Sequence, residues 1–461
     1  MAAPQLDQPS ARKDRRLLFA AAGLFVASRL ILLASPPPGL SDVRLYCNYA
    51  LQGVDFGRVA YRDYTIEYPP LAWGLIALPR LLATERCPET PDDAQVAYRD
   101  EYRRVYRGLM FLVDIAALAV FWHIAGRRYP ARRGALCLSY VAVTTSSLYL
   151  LYDRLDVGLS LLLLLWALAW LRSLEDQSSA NARRIAMWRI ASYVALGLSV
   201  AYKVIPIIIL PFLLLADWQA RPRVRVWPGM VAFVAALVIP FLVLLPSAGT
   251  TTLRFIEYHG QRGIQVESLY AAMLFASTPL GIETKIVAFR GADEVAGEWV
   301  PAMKTLASML MGGFLACTGL WCLVQGRRFD RQQAWRCAVM VVLGSVALSP
   351  VLSPQYFVWA LPLALLVGAE LLPAGGRAWP GFAAGVVVIA VLTTLIFPCA
   401  YFGLVNKLQP DEDRRLILVA GALVALRDAA YLALVVWLGS YVFRSQQLKS
   451  DRQFSSGGTL P

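Results

Sequence analysis

The chain has 461 residues, of which 58% are hydrophobic and 16% charged, with a formal net charge of +13. A soluble protein of this size carries about 25% charged residues. Apolar blocks of spanning length recur along the whole sequence, which excludes an ordinary soluble domain and indicates a polytopic membrane protein. The basic residues gather in short clusters between those blocks, the pattern of cytoplasmic loops, so no nucleic-acid partner is expected.

In chain order, Arg12, Lys13, Arg15 and Arg16 precede a first apolar block without a small-residue cleavage site after it, which reads as a retained first span. Clear spans follow from 17–33, 106–125, 135–151, 157–171, 226–245, 303–324, 334–348, 356–371, 381–398 and 416–438. Arginine-rich links mark one face: RKDRR, GRRYPARR from Gly126, the run 172–189, ARPRVRV from Ala220, GRRFDR from Gly326, and the tail after Arg444. One threading places them all inside. In it, PPLAWGLIALPRLLA, entered through Pro69-Pro70, lies in the outer interface as an amphipathic helix and does not cross. The apolar stretch 190–216 becomes a hairpin with Lys203 at its outer apex, because a lysine midway along one span costs about 3 kcal/mol on insertion scales. The expected fold is all-α, with about twelve transmembrane helices and outer-face interfacial helices. A cytoplasmic N-terminus (1–16) and tail (442–461) bracket a transmembrane domain (17–441) with outer loops at 35–105 and 247–301. Cys47 and Cys87 fall in one outer segment, as a disulfide or as two free thiols.

Under this threading, unusual polar residues collect on the outer side. They are Asp42 and Tyr46 on one helical face, Glu67 before the Pro-Pro pair, and Asp153, Arg154 and Asp156 in LYDRLDV. Lys203 joins them with His259, Arg262 and Glu267 from EYHGQRGIQVES, and Ser353, Gln355 and Tyr356 from LSPQYFVW. Carboxylates, lysine and arginine at one membrane level form a site for an anionic lipid head group beside a general base. Each residue has a structural alternative. Asp42 would serve a helix N-terminus. Glu67 would pair with Arg62 or Arg80, Asp153 and Asp156 would form an ion cluster around Arg154, and Arg262 would pair with Glu267. Lys203 would snorkel to head groups, Ser353-Pro354 would merely break a helix, and His259 would be a solvent-exposed loop residue. No P-loop, dinucleotide fingerprint, zinc motif or nucleophile elbow occurs.

Taken together, Asp42 with Tyr46, RDYTIEYPPL, LYDRLDVGLSLLLLLWALA, AYKVIPIIILPFLLL, RGIQVESLYA and SPQYFVWALPL resemble the GT-C glycosyltransferases, in particular glycosyltransferase family 87, the polyprenol-phosphate-mannose-dependent mannosyltransferases. The resemblance runs from about residue 40 to 365. It implies a GT-C fold in the cell membrane and inverting transfer of mannose, on the extracytoplasmic face, from a polyprenyl-phosphate donor to a glycolipid such as a phosphatidylinositol mannoside. By the same resemblance Asp42 is the general base, with Asp55 and Asp63 of the same loop as alternatives. Lys203, Arg262 and His259 are expected at the donor phosphate. Tyr46, Glu67, Asp153, Arg154, Asp156, Glu267, Gln355 and Tyr356 are expected to line the cavity. No cofactor or metal is expected. An arabinofuranosyl donor and a lipid-linked sugar flippase are the competing readings; a flippase calls for charges spread through the membrane depth.

Overall fold

The computed structural model describes residues 8–35, 41–84, 94–175, 182–219, 226–289, 292–373, 376, 378–401 and 414–444. Its helices are α1 (Gln8–Ala34), α2 (Val43–Ala50), α3 (Pro70–Leu82), α4 (Ala94–Arg128), α5 (Arg133–Ser146), α6 (Leu148–Leu151), α7 (Asp156–Ser173), α8 (Ala182–Tyr202), α9 (Leu210–Gln219), α10 (Val226–Ala248) and α11 (Arg254–Gly260). Strand β1 (Ile264–Gln265), α12 (Leu269–Ala276), β2 (Lys285–Phe289) and β3 (Ala292–Ala296) follow, then α13 (Val300–Gln325), α14 (Arg331–Ala347), α15 (Tyr356–Leu371), α16 (Ala378–Thr394) and α17 (Arg414–Arg444). Among the described residues, eight helices are long and apolar enough to cross a membrane. The other four expected crossings fall on shorter elements: α5, the limb Ile205–Gln219, α14 and α15.

The fold is mainly helical, with one addition that the all-α expectation did not contain. The expected outer loop 247–301 holds a three-stranded antiparallel sheet in the order β1-β3-β2, with Ile264 opposite Val295 and Val287 opposite Glu294. Strands this short carry little alternation for a sequence reading to detect. The sheet is tied to the bundle by the Gln265 amide, which donates to the Pro350 carbonyl at 3.0 Å.

Helices α14 and α15 are buried almost along their whole length and form the centre with α7; the indoles of Trp166 and Trp335 meet there at 5.3 Å. Helices α1, α10 and α13 form the margin and expose Phe19, Ile31, Val243, Leu320 and Val324. Such apolar surface fits contact with lipid tails. Inside the bundle, Arg29 of α1 donates to Asp114 of α4 at 2.8 Å and to the Thr144 hydroxyl of α5 at 2.7 Å, and the Tyr152 hydroxyl donates to the same carboxylate.

The hairpin is present. The chain leaves the helix after Tyr202, and a 3-10 turn over Ile205–Ile209 holds Pro206 before α9 continues. At the far end of both limbs, the Tyr193 hydroxyl donates to Asp217 at 3.1 Å, and Arg189 lies 3.7 Å from the same carboxylate. Positions about equally far before and after Lys203 therefore meet, which only an antiparallel return allows. Helix α3 does not cross either. Tyr68, before it, meets the Tyr46 hydroxyl at 3.1 Å, while Thr84, after it, donates both its backbone N–H and its hydroxyl to the Glu101 carboxylate in the first turns of α4. Both ends of α3 thus stay on one side.

The two ends of the bundle differ in chemistry. One is laced by arginines: Arg127 to Glu175, Arg132 to the carbonyls of Ala369 and Leu372, Arg331 to Asp217, and Arg336 to Glu370. The other carries the segment 151–156, α2, α3 and the sheet. A cysteine at exposed Ala131, between α4 and α5, and another at exposed Gln261 are expected to react with an impermeant thiol reagent from opposite sides of the membrane. Labelling of both from one side would overturn this arrangement.

Candidate active site

The site is built on the turn between α6 and α7. Burial of this turn forces each of its charges to find a partner, and each finds one on a different element. Asp153 accepts from the Ser41 hydroxyl at 2.9 Å and lies 3.5 Å from Arg107 of α4. Arg154 forms an ion pair with Asp42 at the start of α2. Asp156 accepts from the Lys203 ammonium at 2.7 Å and from the indole of Trp359 at 2.8 Å. The expected single ion cluster of Asp153 and Asp156 around Arg154 is therefore replaced by three separate pairs. The turn sits tightly on α8: the Tyr202 hydroxyl donates to the Leu155 carbonyl, and a Cβ at Gly158 would collide with that hydroxyl.

Asp42 stands at the N-terminus of α2, where the helix-terminus reading put it, but its side chain makes no capping bond there. Its carboxylate faces Arg154 and takes a 3.4 Å hydrogen bond from the Tyr46 hydroxyl one helical turn on. Burial holds the Tyr46 phenol well above its ordinary value, so it stays a proton donor. The alternative bases are both committed to arginines: Asp55 to Arg80 and Asp63 to Arg62. These pairs also remove the partners expected for Glu67, which instead lies within electrostatic reach of the hydroxyls of Tyr68 and Tyr258.

Around Lys203 lies a second group. The ammonium stands 4.7 Å from the Tyr356 ring centroid, and Tyr356 is within electrostatic reach of Lys203, Asp156, Arg262 and Glu67. His259 is exposed and bonds through Nε2 to the Glu67 carbonyl at 3.1 Å; a carbonyl only accepts, so this nitrogen carries the proton. Arg262 pairs with Glu294 of β3 at 2.7 Å and not with Glu267. An apolar groove of about 800 Å³ runs between the second hairpin limb and α13, lined by Ile207, Pro211, Leu215, Trp218, Leu315 and Leu323 among others.

Deeper in, Gln265 donates to Glu267 at 3.2 Å and to the Ser353 hydroxyl at 3.4 Å, and Ser353 donates to Gln355. So Gln355 joins this inner set and not the Lys203 group. Sequence reading missed the partners from the last helix. Arg427 donates to the Glu267 carbonyl and, at 2.8 Å, to Asp428. The signal was there to find: an Arg-Asp pair midway through the final apolar block is an intramembrane charge, and such residues mark function. The possible Cys47–Cys87 disulfide falls on a residue outside the described ones.

Burial shifts the charged groups of this inner set. The Glu267 carboxyl is pushed up to about 8 by desolvation, against the opposing pull of Arg427 and Arg154. The Arg154 guanidinium is lowered to about 10 by its own burial, with Asp156, Tyr401 and Glu267 pulling it back. Asp153 is raised by burial, with Arg107 opposing. The folded chain therefore holds a proton on Glu267 at pH values where the unfolded chain does not. The stability this contributes is full below the ordinary glutamate value of 4.5 and is lost as pH rises through about 8. Thermal melting of the purified protein should fall between about pH 5 and about pH 9, and Glu267→Gln should flatten that fall. An unchanged slope in the variant would place the titrating group elsewhere.

No family model and no curated protein matches this chain. Among solved structures it is similar to ArnT from Cupriavidus metallidurans. The crystal structure of ArnT bound to undecaprenyl phosphate shares 16% identity at a TM-score of 0.38, over 92% of this chain and 77% of that one. The apo structure shares 18% at a TM-score of 0.39, over 93% and 78%.

Proposed function

We propose that the protein is a membrane glycosyltransferase that uses a polyprenyl-phosphate-sugar donor, with mannose as the sugar and a glycolipid as the acceptor. One observation carries the reading: Lys203, paired with Asp156 beside a carboxylate-lined polar site, lies four residues before Ile207, where the wall of an apolar groove begins. A substrate that fits all three parts has an apolar tail, an anionic head and a hydroxyl-rich group. Eleven residues of the hairpin limb separate Ile207 from Trp218, so the groove offers a tail about 16 Å of wall at helical rise. The arginine-laced opposite end is the cytoplasmic one by the positive-inside pattern, which puts the site on the extracytoplasmic face of the cell membrane.

The chemistry follows from these residues. An acceptor hydroxyl attacks the anomeric carbon on the face opposite the phosphate, and the bond from that carbon to the phosphate oxygen breaks. The electron pair leaves with the polyprenyl phosphate, and the hydroxyl proton passes to Asp42. The Arg154 guanidinium keeps Asp42 ionised, the form a base requires. The charge returning to the phosphate needs cationic or hydrogen-bonding partners placed beforehand, and Lys203, Arg262 and His259 are assigned that role. The donor itself supplies the energy, so the reading calls on no cofactor and no metal. Tyr356 shapes the head-group wall, while Asp153 serves the scaffold through Arg107.

Glu67 is the second candidate base, because it lies near the Tyr68 and Tyr258 hydroxyls and, among the described residues, forms no ion pair. The arabinofuranosyl and flippase readings use the same site with another sugar or without bond cleavage. Purified protein in nanodiscs should transfer labelled mannose from decaprenyl-phosphate-mannose to a membrane lipid extract. Asp42→Asn should lower the rate by about 10²-fold or more, and Lys203→Gln should raise the KM for the donor with a smaller effect on kcat. Loss of transfer in Glu67→Gln with survival in Asp42→Asn would move the base to Glu67. Transfer only from the arabinose donor would change the sugar. Movement of intact donor across vesicles without product would favour the flippase.

A further inference from the structure

The inner set holds a carboxyl that the transfer mechanism leaves unused. Glu267 is buried between β1 and α12, and groups from four elements face it. They are Arg427 and Asp428 of α17, Arg154 of the α6–α7 turn, Gln265 of β1, and Tyr401 near the end of the helical stretch after α16. Its Oε2 takes the Gln265 amide, but its Oε1 is buried without a hydrogen-bond partner, as are Arg427 Nη1 and Asp428 Oδ2. A buried, unsatisfied carboxyl oxygen is costly, and more so when charged. Ionised Glu267 would therefore compete for a cation. Arg427 is held by two bonds, its Nε on Asp428 and another nitrogen on the Glu267 backbone carbonyl, with its charge matched by Asp428 and its Nη1 without a bond. Arg154 is the other guanidinium within reach, and it is the one that pairs with Asp42.

We propose that Arg154 is shared between Asp42 and Glu267, so that charge on Glu267 loosens the hold of Arg154 on Asp42 and makes Asp42 the stronger proton acceptor. Glu267 is thus a positioning residue that acts through Arg154 and touches no reacting atom. While it holds its proton, Arg154 stays on Asp42 and the site rests with a weak base. When it releases the proton, Arg154 swings part of its charge inward. Arg427 and Asp428 fix the position of Glu267 and balance each other's charge, which leaves Arg154 as the variable contact.

The inference rests on the proposed base, so the test reads the coupling first without any turnover. The carbonyl stretch of the protonated Glu267 side chain is followed by infrared titration, with Glu267→Gln to identify the band. Asp42→Asn should move the midpoint of that band down, because Arg154 becomes free to support the Glu267 carboxylate. In Arg154→Gln the same Asp42 change should move it much less. An equal shift with and without Arg154 would show two carboxylates interacting directly through space, and no shift at all would show no coupling; either result overturns the proposal. Transfer from decaprenyl-phosphate-mannose is then measured across pH. Wild type should gain about tenfold as the Glu267 band disappears, the effect of one pKa unit in the base. Glu267→Gln should lack that rise, and Glu267→Asp should restore it. A rise that persists in Glu267→Gln would overturn the role in catalysis. A coupled titration in a protein that transfers no sugar would uphold the shared arginine and reject the transferase reading.

Discussion

Everything at this end of the bundle hangs on one turn, in which Asp153 and Asp156 are buried and Arg154 half-buried within four residues of one another. Water cannot solvate them there, so each must recruit an opposite charge, and three different parts of the chain are drawn in. Arg107 fixes α4, Asp42 fixes the start of α2, and Lys203 fixes the apex of the hairpin. Burying an ion pair gains little stability on its own, yet breaking one by removing a partner costs about 3–5 kcal/mol. The pairs therefore act less as glue than as a positional code. The helices can slide only by leaving a charge alone in a low-dielectric interior.

The same turn joins scaffold to site. Just before it, Tyr152 reaches into the bundle and donates to Asp114, which also holds Arg29 of α1. Just after it, Gly158 lets α8 come close enough for the Tyr202 hydroxyl to bond the Leu155 carbonyl. Packing of α7 against α14 and α15 is thereby converted into the placement of a carboxylate and a lysine at the membrane surface. Lys203 can stand there because the hairpin breaks at Tyr202, so its ammonium meets Asp156 at the bundle end and not midway through an apolar core.

Much of this was legible from residues alone, and the reason is charge. Arginine-rich links gave the two ends of the bundle, and they required both the hairpin at Lys203 and a non-crossing α3, each of which the coordinates bear out. The polar residues named in sequence do meet at one end. What was not legible is who pairs with whom. Pairing depends on long-range geometry, and nearest-neighbour reasoning chose Glu67 with Arg62 or Arg80 and Arg262 with Glu267, where Asp63, Asp55 and Glu294 are the actual partners. The sheet escaped because its strands are short. Arg29, Asp114, Arg427 and Asp428 escaped because, within blocks read only for their hydropathy, a single charge looks like noise.

Arg427 also has a bearing on how the molecule is made. The ligand of the Glu267 carbonyl lies in α17, roughly 160 residues after its partner and so made well after it as synthesis proceeds. Until that helix has entered the membrane, the inner carboxyl lacks its guanidinium neighbour, and the shared arginine at the turn has no fixed counterpart on that side. This inner set is therefore completed only once α17 has packed against it, even though most of the residues named at this end were laid down in the first three hundred.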